Sequence, residues 1–411
     1  MTRIAVVTLT AAIAAPGGAK AEQLKIAMIE ALSGPAAQTG IAFTEGMRYG
    51  VDRLNAAGGF NGQPVKLLEY DNQGGPTGAA EKLKAAIAEG ARIVSSASSS
   101  AVAAQLSEDI RKHNLRNVGK EVIYFNVGSE AYELTAEKCH FWFFRMGTNP
   151  YVRIKALVRA MKDNNVLGEK IYSINQNYSY GQDHEKAQAQ FVKEAGATVV
   201  ESVLHDVNKI QDFSPYVAKI KASGAQTVIT GNWANDIILL IKAVGDAGLK
   251  VRIGNTSLDT PGTLGNAGAL ALGSYLVKIY NLEAGGAPGK AFIEDFKTKI
   301  GHYPYSEEPT SVFATALLGE ALKLVNFKGG DIDAKAVALA LEKAKWESPV
   351  GPWSVRADDH QVILPITISE VSRAATYKVD TTDMGFKLVR VVPADAAAVA
   401  PSPACKMQRP G

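Results

Sequence analysis

From Leu24 onward, short apolar runs alternate with amphipathic stretches separated by Gly-, Ser- or Asn-bearing turns, and this alternation limits the possible folds more than any other property of the chain. Strands are expected at 24–32, 65–70, 92–94 and 122–125, with helices at 41–57, 79–88 and from residue 100 onward, where Val102, Leu106 and Ile110 make one apolar stripe. After the run Phe141-Trp142-Phe143-Phe144 and Pro150 the pattern starts again, with helix 150–164, strand 170–175, helix 183–195, strand 197–204, helix 212–222, strand 226–230, helix 235–247 and strand 251–254. A strand at 275–280 leads into helices at 288–300, 308–326 and 333–345. The tail reads as β structure at 362–370, 374–379 and 386–392, then as an extended Ala- and Pro-rich segment at 394–411.

Strands separated by helices of ten or more residues require crossover connections and parallel pairing. The chain therefore reads as α/β, with two doubly wound parallel-sheet lobes, and its 411 residues are enough for two cores. Short segments at 145–149, 278–282 and 347–353, marked by Gly, Pro or a strand end, are expected to cross between lobes as a three-crossover hinge. On this division 22–146 and 281–348 form lobe 1, while 147–280 and 349–411 form lobe 2.

Residues 1–21 stand apart. Thr2-Arg3 is a short basic start, 4–15 is an apolar run, and Ala19-Lys20-Ala21 is a small-x-small site before Glu22. This is the pattern of a secretory signal peptide cleaved after about Ala21, and it is too short to span a bilayer. No cysteine follows the apolar run, so no lipid anchor is expected. Losing Arg3 and Lys20 takes the formal charge from +3 to +1, which gives no electrostatic case for nucleic acid or a membrane surface. Cys139 and Cys405 are the two cysteines, and in an exported chain that count favours one disulfide. Closing so long a loop contributes up to roughly 5 kcal/mol.

Ser95-Ser96-Ala97-Ser98-Ser99-Ser100 lies between a strand and a helix. There it presents hydroxyls and free N–H groups at the carboxyl edge of a sheet, which suits an anion. A helix cap with loop filler is the plainer reading of the same residues. Other strand ends are also polar or aromatic: Thr39 after Ser33-Gly34-Pro35, then Gly128-Ser129-Glu130, the 175–182 run containing Tyr180, Gly231-Asn232-Trp233, and Asn255-Thr256-Ser257. Two such edges facing each other would enclose a small molecule, with hydroxyls for an anion and rings for an apolar body.

Catalysis has no visible seat. Gly285-Gly286-Ala287-Pro288-Gly289-Lys290 fails as a phosphate loop, because Ala284 and Ala291 stand at required positions, and Gly262 to Gly268 has the wrong spacing for a dinucleotide turn. The six histidines never fall at metal-ligand spacing, two cysteines cannot build a cysteine-rich zinc site, and no serine lies in a nucleophile elbow. No cofactor and no metal are expected.

Leu32-Ser33-Gly34-Pro35-Ala36-Ala37-Gln38-Thr39-Gly40, Asn55-Ala56-Ala57-Gly58-Gly59-Phe60-Asn61-Gly62, Glu69-Tyr70-Asp71-Asn72, the serine cluster, Tyr180-Gly181 and Ala247-Gly248-Leu249-Lys250 occur in a telling order and spacing. Together they resemble the leucine/isoleucine/valine-binding family of periplasmic receptors for ABC importers, from about Leu24 to about Ile368. The resemblance implies a type I periplasmic binding protein that closes on its ligand by hinge motion. It also implies a monomer that docks on an inner-membrane permease. Carried over by position, it puts the ligand carboxylate on Ser99, with Ser100 and backbone around Ala97 and Gly128 beside it. A further contact falls at Ser129-Glu130, where amino-acid binders usually carry a hydroxyl. Tyr180 and Trp233 supply rings, and Thr39 stands where relatives often carry an aromatic residue.

The largest departure follows Lys250. Amino-acid binders place a carboxylate seven residues later for the α-ammonium, whereas this chain has Ser257, and Asp259 is expected to point elsewhere. A buried ammonium without an anion costs several kcal/mol. The expected ligand is therefore a carboxylate that need not carry an amine, such as an aromatic acid, unless Glu130 or Glu308 supplies the charge for an amino acid. A ligand-sensing module of the same fold and a secreted enzyme are the competing readings.

Overall fold

The computed structural model describes residues 22–411 apart from Pro35, Ser306 and Lys328, so the expected signal peptide and the proline of the Ser33-Gly34-Pro35 turn lie outside the described residues. The first half runs β1 (Lys25–Glu30), α1 (Ala37–Ala56), β2 (Lys66–Asp71), α2 (Pro76–Ala88), β3 (Ile93–Ser96), α3 (Ser100–Arg116), β4 (Ile123–Asn126) and β5 (Phe143–Arg145). It continues as α4 (Pro150–Asp163), β6 (Lys170–Gln176), α5 (Ser179–Glu194), β7 (Thr198–His205), α6 (Ser214–Ser223), β8 (Thr227–Thr230), α7 (Asn235–Asp246), β9 (Arg252–Asn255), α8 (Thr263–Ala267) and β10 (Tyr275–Lys278). The rest is α9 (Gly286–Ile300), α10 (Glu307–Lys323), α11 (Ala334–Leu341), β11 (Lys345–Ser348), β12 (Gly351–Val355), β13 (Val362–Ile363), β14 (Ile366–Ser372), β15 (Gly385–Val392) and the short α12 (Ala394–Ala397).

Two large sheets carry the two lobes. The first has the order β2-β1-β3-β4-β5, all parallel; the second has the order β15-β14-β10-β9-β8-β6-β7, parallel from β7 to β10 with β14 and β15 antiparallel at one edge. Parallel strands covered on both faces should be apolar along their length, and β3, β4, β8 and β10 are buried throughout. In the first sheet the chain steps from β1 out to β2 and then back across to β3. In the second it steps from β6 out to β7 and back to β8. Each reversal opens a crevice at the carboxyl ends of the strands, where doubly wound sheets bind ligands.

Helix α1 lies against α10 at close range because of two glycines. A Cβ on Gly46 would stand 2.5 Å from the carbonyl oxygen of Glu308, and one on Gly50 would stand 2.8 Å from Cβ of Thr315. Contacts that short are not available to any residue with a side chain.

Three expectations change in the tail. β11, β12 and β13 form a separate three-stranded antiparallel sheet, and fully buried Trp353 sets its ring 5.7 Å from Phe313 of α10. The segment expected to cross between lobes at 347–353 is therefore the turn of a hairpin packed on lobe 1; we place the third crossing at Leu364-Pro365. Residues 374–379 make no strand, because the chain turns back at 379–384 to enter β15. The final residues return to lobe 1: Cys405 is bridged to Cys139 with Cα atoms 5.5 Å apart, Arg409 pairs with Glu342 at 2.7 Å, and Lys335 holds the carbonyl of Gly411. We therefore assign 349–363 and about 400–411 to lobe 1 rather than lobe 2. The disulfide itself is present as the cysteine count anticipated.

Candidate functional site

The two crevices face each other across a cleft of about 310 Å³, of the size that takes a small organic molecule. Ala97, Ser99, Ser100, Gly128, Ser129, Glu130, Thr39, Tyr180, Trp233 and Ser257 all line it, and Phe43, Arg153, Tyr178, Lys278 and Glu307 line it as well. Glu308 does not. It is fully buried between α1 and α10, where its Oε2 accepts the N–H of Tyr305 at 2.7 Å. Burial pushes its carboxyl up to about 9. The residue that turns toward the cleft is its neighbour Glu307, one position earlier on the helix.

The serine loop is built on a carboxylate that sequence reasoning missed. Glu30, 1% exposed at the end of β1, accepts the N–H of Ala97 at 2.6 Å and that of Ser98 at 3.1 Å, and it also takes the Ser98 hydroxyl and the N–H of Ala31. The expected ligand contact from the Ala97 amide is thus already spent inside the protein. The carbonyls of Ala97 and Ser99 are held in turn by the Ser129 hydroxyl, at 2.6 and 3.0 Å. Ser129 therefore shapes the loop with its side chain. A lone charged residue near the end of the apolar strand 24–32 was the available signal for Glu30.

Ser99 is the N-cap of α3, its Oγ accepting the Val102 N–H at 3.3 Å. The hydroxyl keeps its own proton to donate, and the N–H groups of Ser100 and Ala101 head the helix without intrahelical acceptors. Cap and anion seat were alternatives for this residue; the geometry is compatible with both at once.

Opposite the helix end stand paired charges. Glu130, from the loop after β4, has its Oε1 2.6 Å from Nη2 of Arg153 on α4, with the Thr148 hydroxyl donating to the same oxygen at 2.6 Å. Its Oε2 is buried and has no hydrogen-bond partner among the described residues. Arg153 also donates to Thr148 Oγ1 at 2.7 Å and to the Thr256 carbonyl at 2.9 Å. Lys278, at the end of β10, lies 3.0 Å from Asp259 and 3.5 Å from Glu307. Asp259 is thus drawn to Lys278 and is not part of the cleft lining, in line with its offset in sequence.

The aromatic wall comes from lobe 2. Trp233 donates its indole N–H to Tyr178 Oη at 2.9 Å, and the Tyr178 and Tyr180 rings lie 5.6 Å apart. Tyr180 bonds Thr256 at 2.9 Å, and burial beside Glu130 raises its phenol to about 12, so it stays a neutral donor. Behind it His184 is fully buried with no partner on either ring nitrogen among the described residues, and burial holds it down to about 3. It is therefore a neutral ring that backs Tyr180, with centroids 4.4 Å apart.

The model of the periplasmic binding protein family matches residues 23–376. The chain belongs to the leucine/isoleucine/valine-binding family of periplasmic binding proteins. The Leu/Ile/Val-binding protein homolog 4 of Brucella melitensis is 51% identical over 399 residues, covering 97% of this chain and 96% of the relative. A leucine-, isoleucine-, valine-, threonine- and alanine-binding protein from Brucella ovis, solved in a closed conformation, superposes with a TM-score of 0.93 at 51% identity over 95% of this chain and all of that one. A solute-binding protein from R. palustris in complex with benzoate shares the fold at a TM-score of 0.74 and 20% identity, over 94% of this chain and all of that one. This periplasmic binding protein therefore has the two-lobed type I architecture.

Proposed function

We propose that this protein captures a small amino acid with an apolar side chain in the periplasm and delivers it to the inner-membrane permease of an ABC importer. One observation carries the ligand class: among the described residues, the charged side chains lining the cleft are Glu130, Arg153, Lys278 and Glu307, two of each sign. A neutral zwitterion suits such a lining better than a net anion, which would need an excess of positive charge. In this reading the ligand carboxylate sits on Ser99 and the amide end of α3, and the unpartnered Oε2 of Glu130 takes the α-ammonium that Ser257 cannot. Glu130 thus replaces the carboxylate that amino-acid binders carry farther along the chain. The names of the 51% identical Brucella proteins, which refer to leucine, isoleucine and valine, support the same class.

A second reading follows from the rings of Trp233, Tyr178 and Tyr180 with Ser257, namely an aromatic carboxylate without an amine. Calorimetric titration of the mature protein with leucine, alanine, phenylacetate and 4-hydroxybenzoate separates the two. Saturable binding of the amino acids alone supports the zwitterion, and binding of the aromatic acids alone supports the second reading. The leader pattern at 1–21 and the family support export to the periplasm. The lack of a catalytic cluster in the sequence and the binding-protein names of the relatives support a receptor that releases its ligand unchanged.

A further inference from the structure

Away from the cleft wall, three electron-pair donors from three different segments converge on one point. Glu45 comes from α1, His302 from the turn after α9 and Glu308 from α10, and one ligand atom from each lies within 4.8 Å of the other two. Nε2 of His302 is 3.6 Å from Oε1 of Glu308 and 3.7 Å from Oε2 of Glu45. Two ligand atoms on a tetrahedral zinc ion stand about 3.3–3.6 Å apart, given metal–oxygen and metal–nitrogen bonds of about 2.0–2.2 Å. The two distances from His302 are close to that spacing and too long for direct hydrogen bonds.

Two further observations point the donors inward. Oε1 of Glu308 is buried and has no hydrogen-bond partner among the described residues, although the other oxygen of the same carboxylate is held by the N–H of Tyr305 at 2.7 Å. Nδ1 of His302 lies 3.0 Å from the carbonyl oxygen of Tyr303, which can only accept, so Nδ1 carries the proton and Nε2 is left facing the two carboxylates. A backbone carbonyl that fixes the tautomer in this way is the usual outer support of a metal-bound imidazole. His302 and Glu45 are partly exposed, leaving an approach from solvent and room for water as a fourth ligand.

We propose that Glu45, His302 and Glu308 bind a first-row divalent cation of the zinc class. The ion would tie α1, the α9–α10 turn and α10 together on the side of lobe 1 where α10 begins. Sequence spacing does not reveal such a site, because its three ligands are separated by 257 and 6 positions and are joined only by the close packing that Gly46 permits.

The test is calorimetric titration of tag-free protein, stripped with chelator, using Zn2+ alone, with Co2+ as a spectroscopic probe. The expected result is one ion per chain with Kd of about 1 μM or tighter, a rise in the unfolding temperature, and the visible d–d absorption of a low-symmetry Co2+ site. His302→Ala and Glu45→Gln, both at partly exposed positions, should each weaken Zn2+ by at least about tenfold while circular dichroism stays unchanged. Saturation only at millimolar metal, or full affinity in both variants, overturns the proposal.

Discussion

Nη2 of Arg153 lies 2.6 Å from Oε1 of Glu130, so a helix of lobe 2 is joined to a loop of lobe 1 at the wall of the cleft. The pair leaves the second oxygen of Glu130 buried without a partner among the described residues. Glu130→Gln should therefore cost leucine about 30- to 100-fold or more in affinity, the range seen when one partner of a buried charged contact is truncated. Circular dichroism and the affinity for an amine-free acid of the same shape, 4-methylpentanoate, serve as controls. An equal loss for both ligands would mean that Glu130 only positions the loop.

Ser99→Ala removes the proposed donor to the ligand carboxylate and the cap of α3 together. The expected loss is about 10- to 100-fold in ligand affinity, from a hydrogen bond to a charged group, with about 1 kcal/mol from the cap. Ser99→Asp keeps the cap and sets an anion against the ligand carboxylate. It should therefore bind even more weakly while unfolding close to the wild-type temperature.

Glu30→Ala leaves the N–H groups of Ala31, Ala97 and Ser98 without acceptors in a buried place. Such groups cost about 1–3 kcal/mol each at most, and a combined loss of about 3 kcal/mol in unfolding free energy is expected. Ligand affinity should fall as well, because the loop that carries Ser99 is no longer fixed. Unchanged stability would show that the loop is held mainly by Ser129.

The pH response of His184 has a definite sign. Burial holds it to about 3, against about 6.5 in the unfolded chain, so on acidification the unfolded state takes up a proton that the native state refuses. Its contribution is present above the unfolded value and is lost as pH falls toward the folded one. Between pH 7.5 and 5 that loss is roughly 2 kcal/mol. His184→Phe keeps a ring against Tyr180 and cannot titrate, so the variant should gain on the wild type by about that amount when chemical unfolding is compared at the two pH values. A constant difference between the two proteins would contradict it. His140, held to about 4 by burial, adds to the same trend in both proteins.

Reducing the Cys139–Cys405 bridge frees the tail from lobe 1. Cys139→Ser with Cys405→Ser should lower stability by up to about 5 kcal/mol, since the bridge closes a loop of 266 positions. Ligand affinity should hardly move, because neither cysteine lines the cleft.

Most of the architecture was legible from periodicity, because parallel strands must be apolar on both faces while the covering helices need only one apolar stripe. The hairpin β11–β12 was not. Trp346-Glu347-Ser348-Pro349-Val350-Gly351 has the Pro and Gly of a linker, and only the burial of Trp353 against Phe313 shows it to be part of a core. At the site, loop residues such as Ser99, Glu130 and Trp233 could be named because they follow strand ends. Arg153 and Lys278 were hidden, since a basic residue in a first helical turn or at a strand end looks like an ordinary solvated charge. Glu307 and Glu308 are adjacent in sequence, and only helix phase tells which one faces the cleft.

The most direct measurement is calorimetric titration of the mature protein with leucine. One-to-one saturable binding that Glu130→Gln weakens by about 30-fold or more is the predicted result. No heat with leucine or alanine, together with saturable binding of phenylacetate or 4-hydroxybenzoate, would contradict it.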